Sequence, residues 1–141
     1  MPLWSRLYNA VWLAFLCCVL IPRWMGKYAG PPVHVLLGLG MLALTLTNAR
    51  RLAALPCPDR LKRVSKVAAN LSGAQLVIGL AFGAVAHMWP DLPVVGTVLH
   101  AMHVMVALAI LAQCASVATG HDMWEERECE ASPPPPATPK Q

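Results

Sequence analysis

No aspartate or glutamate occurs before Asp59, and none lies inside any of the four long apolar runs of the chain. An unpartnered carboxylate in hydrocarbon is penalised by several kcal/mol. A sequence that keeps every acid out of runs this long is built to place them in a membrane. The charged fraction, 13%, is about half that of an ordinary soluble domain. Five of the seven acids follow residue 120, so the few charges are also segregated.

The runs predict four spans, at about 3–21, 33–48, 67–89 and 92–119. The first has a basic flank like a signal peptide but no small-residue cleavage pattern after it, and reads as a retained helix. Pro31 and Pro32 suit the start of the second, where a missing N–H is harmless. Pure apolar length there is marginal for the ~20 residues that cross a bilayer. Thr45, Thr47 and Asn48 extend it toward Arg50, with hydroxyls bonded back to the helix. Pro90-Asp91-Leu92-Pro93 is a turn that stops one helix and opens the next. Trp4, Trp24, Tyr28, Trp89 and Trp124 fall at span ends, as interfacial aromatics do. The expected fold is all-α: a polytopic membrane protein with a four-helix up-and-down transmembrane bundle over residues 1–124. Residues 125–141 form an acidic, proline-rich tail expected to be disordered.

Six of the eleven basic residues, Arg50, Arg51, Arg60, Lys62, Arg63 and Lys66, lie between the second and third runs. In a membrane chain this cluster reports orientation and contact with lipid headgroups, not nucleic-acid binding. It places both termini in the cytoplasm and the protein in the plasma (inner) membrane. Cys57 and Cys129 then face a reducing compartment. Cys17, Cys18 and Cys114 read as small apolar residues. No cysteine spacing indicates a disulfide framework or zinc.

That orientation gathers His34, His87, His100 and His103 toward the outer face. An intramembrane imidazole needs a partner, and several at one depth point to a shared ligand. Heme b held by His34 and His100 is the reading the depths favour. His103 shares a helix face with His100 and has room for a supporting role. His87, beside Trp89, reads as interfacial, and His121, beside Asp122, as solvated. Gly38, Gly40, Gly73, Gly79 and Gly83 could floor a porphyrin, but small residues at such spacing are more often plain helix-packing positions. Copper competes, because His100, Met102, His103 and Met105 mix imidazole with thioether. A third reading is a membrane anchor or assembly subunit with no cofactor. Paired carboxylates for acid–base catalysis are excluded within the spans, and no catalytic residue is assigned.

Three short motifs carry a family resemblance: His34-Val-Leu-Leu-Gly38, Gln75-Leu-Val-Ile-Gly79, and Leu92-Pro93 followed by Leu99-His100. Over residues 33–112 the chain resembles one four-helix half of the heme A synthase family. The resemblance implies a heme near the outer face with His34 and His100 as axial ligands, and Gly38, Gln75 and Gly79 in the site. It also implies a role in electron transfer or in heme and terminal-oxidase biogenesis, with respiratory-chain components as partners. Completing the family's eight helices would take a homodimer. The chain departs from the family at Val35, where arginine is usual, and in having no acid within 22–33. It also lacks the outer-loop cysteine pair. These departures bear on catalysis more than on heme binding.

The orientation is testable with periplasm-active reporter fusions. A fusion after Asp91 should be active, and fusions after Leu55 and at the carboxyl terminus inactive; the reverse pattern would invert the topology.

Overall fold

The computed structural model describes residues 2–19 and 26–131. It is all-helical: α1 Leu3–Val19, α2 Gly26–Ala53, α3 Asp59–Met88 and α4 Pro93–Ala131. Each helix packs against its two neighbours in a ring, α1 to α2 to α3 to α4 and back to α1, with no close backbone contact across the diagonals. Adjacent helices are antiparallel. The Asn48 amide of α2 donates to the Arg6 carbonyl of α1, the Gln75 amide of α3 reaches the His103 carbonyl of α4, and Tyr8 of α1 donates to Asp122 of α4. This is an up-and-down bundle.

Three helices are long and apolar enough to cross a membrane, within Pro31–Ala53, Asp59–Met88 and Pro93–Cys129. Their outward faces suit lipid: Leu36, Val77 and Met105 are each about two-thirds exposed (66%, 67% and 66%). Water would penalise so much uncovered apolar surface. The described part of α1, 17 residues, is shorter than the ~20 residues of a typical span. The end of the first expected span, Trp24 and the tail from Ser132 lie outside the described residues, as does the side chain of Tyr28.

The boundaries follow local chemistry. Arg50 and Arg51 occupy the last turn of α2, where cations offset the helix dipole, and Asp59 the first turn of α3, where an anion does. Between them the connection is short, 54–58, so most of the basic stretch is helical rather than loop. Trp89 closes α3 with its N–H on the Val85 carbonyl at 3.0 Å. Pro93 opens α4 at the position where its missing N–H is not needed.

Two boundaries differ from the sequence expectation. Pro31 and Pro32 lie inside α2, which begins at Gly26; early in a helix few bonds are lost to a proline. Helix α4 runs on through the acidic segment to Ala131, since glutamate and arginine are good helix formers. Thr45 and Thr47 return their hydroxyls to carbonyls of their own helix at 2.9 Å, to Met41 and Ala43, as their placement in an apolar span requires.

Packing is tightest at the end that carries the 54–58 connection. Leu7, Leu52, Cys57, Leu61, Val117 and Ala118 form one buried cluster there, and Ala10, Ala14, Met41, Ala68, Ile110 and Cys114 a second above it. Small residues let the helices approach closely. Leu52 is fully buried. Leu52→Ala should lower stability by about 2 kcal/mol or more, read as an earlier midpoint in denaturant unfolding. Leu36→Ala, on the outward face, should shift it by under about 0.5 kcal/mol.

Candidate functional site

The inward positions of each helix follow alternating three- and four-residue steps. In α2 the inward line is His34, Leu37, Met41, Thr45, Asn48, Leu52; in α4 it is His103, Val106, Ile110, Cys114, Val117, His121. The step sequences are identical. Helices α2 and α4 are each antiparallel to the helices between them and so run parallel to one another, which sets His34 level with His103. The α3 line, Leu61, Ser65, Ala68, Ser72, Gln75, Gly79, Phe82, brings Gln75, Gly79 and Phe82 to the same layer.

His34 and His103 meet across the bundle, with ring centres 5.8 Å apart and planes inclined by 53°. They come from diagonally opposed helices, so the rings occupy the interior. Gly79 makes the room. A Cβ on it would lie 2.9 Å from His103 Cε1 and 3.3 Å from Nδ1. Gln75 donates its amide to the His103 carbonyl at 3.0 Å, which fixes α3 to α4 at this level. Gln75 Oε1 and His103 Nδ1 are both buried and have no hydrogen-bond partner. An orphaned buried polar atom costs about 1–3 kcal/mol; two lie in this layer, and Asn48 Oδ1 and His121 Nδ1 are two more toward the other end.

The remaining expected residues fall around this pair. His100 is exposed and stacks on Phe82, ring centres 5.2 Å apart and planes 17° from parallel. It borders an open apolar groove of about 370 Å³ that Phe82, Trp89 and Gly96 also line. The ring that meets His34 is thus His103, and His100 lies to its side. Gly38 has open space where a side chain would extend. His87 is exposed near the end of α3 and takes no part in the layer. Met102 and Met105 are also exposed, facing away from the two imidazoles.

Leu13 is the side chain nearest a Cβ on Gly40. Following α1 from 13 to 19 and α2 from 40 to 34 brings the end of described α1 level with His34. Helices α2, α3 and α4 are described past that level.

The opposite end holds a group that sequence reading treated as solvent-facing. His121 is 1% exposed, packed edge-on to Trp124 with ring centres 5.7 Å apart. Gly120 lets Leu61 of α3 close in, since a Cβ there would be 3.2 Å from Leu61 Cδ1. The missed signal was periodicity: His121 lies in phase with Ile110, Cys114 and Val117, so a helix continued past 119 turns it inward.

Comparison with protein families, with curated proteins and with solved structures finds no match to this chain.

Gly79→Ala and Gly83→Ala make a matched pair, since nothing lies within 4 Å of a Cβ on Gly83. The imidazole against Gly79 is the end of a side chain with two rotatable bonds, so it should turn aside rather than part the helices. Gly79→Ala should keep a near-native melting temperature but shift the His103 ring resonances in NMR. Gly83→Ala should leave those resonances in place and raise helix stability by up to about 1 kcal/mol.

Proposed function

We propose that this chain is a four-span membrane protein that binds heme b in the outer half of its bundle, through His34 and His103, and passes single electrons. The observation that carries the reading is the meeting of two inward imidazoles from opposed helices at 5.8 Å. Two imidazoles on opposite sides of one metal, with metal–nitrogen bonds of ~2 Å, stand with ring centres roughly 6 Å apart. By this spacing His34 and His103 are the residues that would hold the iron.

Each neighbouring residue has a role in this reading. Gly79 leaves the space His103 occupies. Gln75 holds the α4 backbone at the ligand, and His103 Nδ1 is free to bind. Gly38 and Gly83 present no side chain toward open space, which leaves room for a flat macrocycle. The bound heme would supply reversible one-electron chemistry, its potential set by ligand type and burial. The methionines of the copper reading face outward, so the thioethers that would select copper(I) are not at the two imidazoles. The basic stretch supports a plasma (inner) membrane protein with cytoplasmic termini, in contact with anionic lipid. The resemblance to half of heme A synthase adds a role in respiratory-chain or terminal-oxidase biogenesis as the biological setting, with a second copy of the chain or an oxidase component as partner.

The deciding measurement is a dithionite-reduced minus oxidised absorption spectrum of the full chain, purified in detergent from heme-sufficient cells, with hemochrome quantitation. One heme per chain, or one per two chains, is expected. His34→Ala and His103→Ala should each abolish the bands, and His87→Ala should leave them. Loss with His100→Ala but not His103→Ala would move the second ligand to His100. A folded, colourless protein would overturn the reading in favour of a cofactor-free anchor or assembly subunit.

A further inference from the structure

We propose a second site, independent of the heme reading, at the inner end of the bundle: a divalent transition-metal site of the zinc class formed by His121, Asp122 and Glu125 of α4. One donor atom from each of the three lies within 4.8 Å of the others. His121 is 1% exposed, and its Nδ1 is buried with no hydrogen-bond partner. That nitrogen faces Glu125 Oε2 at 3.6 Å, beyond hydrogen-bond reach.

The spacing suits a shared ion. His121 and Glu125 are one helical turn apart and on one face, the arrangement in which a helix offers two ligands to a single metal. Donors on a tetrahedral zinc with ~2.05 Å bonds are separated by about 3.3 Å, close to the 3.6 Å observed. The Asp122 carboxylate closes by rotation. Its Oδ2 already accepts the Tyr8 hydroxyl at 2.5 Å, and a hydrogen bond of this kind orients a ligating carboxylate. Among the described residues no lysine or arginine is paired with Asp122 or Glu125, so no protein cation competes.

The donor set selects the ion. One imidazole nitrogen with two carboxylates suits zinc and neighbouring divalent transition metals. Calcium and magnesium prefer oxygen throughout. Because Tyr8 belongs to α1, a metal bound at Asp122 stiffens the α1–α4 contact at the end where the bundle is most tightly packed.

The test uses the full-length protein in detergent, free of any polyhistidine tag and stripped with chelator. Zn²⁺ is titrated by calorimetry, and Co²⁺ is added as a visible probe. One Zn²⁺ per chain with a higher melting temperature is expected, together with cobalt d–d bands of a nitrogen–oxygen site. Glu125→Gln changes a half-exposed side chain and should fold normally yet lose the binding. Tyr8→Phe should weaken it by about tenfold or more. The double variant His34→Ala, His103→Ala should still bind one ion. Absence of zinc binding, unchanged affinity in Glu125→Gln, or loss of the ion in the double variant would each overturn the proposal.

Discussion

Everything in this bundle depends on the register set at its tightly packed end. Leu52, Leu61, Val117 and Ala118 close around Leu7, and once they interlock, the three- and four-residue steps along each helix have no freedom left. In an apolar surrounding, packing of this sort, rather than the hydrophobic effect, holds helices together. The register then decides which polar residues, many turns away, arrive in the interior together. The layer of His34 and His103 is positioned from the opposite end of the molecule.

The two ends differ in what they enclose. The end that carries the 54–58 connection is lined mostly by small and apolar side chains, with the buried ring of His121 among them. The end that carries the histidine layer has an open groove beside it and two orphaned polar atoms. Each end keeps two unsatisfied buried polar atoms against the stability of the bundle, Gln75 Oε1 and His103 Nδ1 at one and Asn48 Oδ1 and His121 Nδ1 at the other. Functional sites are where such local inconsistencies are expected.

Much of this was legible in the sequence. Acid-free apolar runs gave the helices, proline pairs gave the 90–93 turn, and the hydroxyls of Thr45 and Thr47 behave as an apolar helix requires. The gathering of His34 with the α4 histidines at one end also follows from alternating direction. The sequence reading paired His34 with His100 and gave His103 a supporting role, because spacing of three places both on one helix face without saying which faces inward. Phase against Val106, Ile110 and Cys114 decides it, and that phase selects His103. Burial of His121 escaped for a related reason: a polar residue beside an acid reads as solvated when the helix is taken to end at 119. The extension of α4 through its glutamates carries His121 into the core. Pro31 and Pro32 misplaced the start of α2, since a proline early in a helix marks only that the first turns are near.

The absence of carboxylates from the spans bears on what the outer layer can do. Two imidazoles 5.8 Å apart repel if both are protonated, and by more in a medium of low dielectric than in water. No aspartate or glutamate stands in the layer to hold an imidazolium; Asp91 is exposed in the turn beyond it. Neutral imidazole is the form that ligates metal. The same acid-free composition that makes the helices suit lipid thus leaves the layer without a carboxylate pair, and its ionisable groups are the imidazoles themselves.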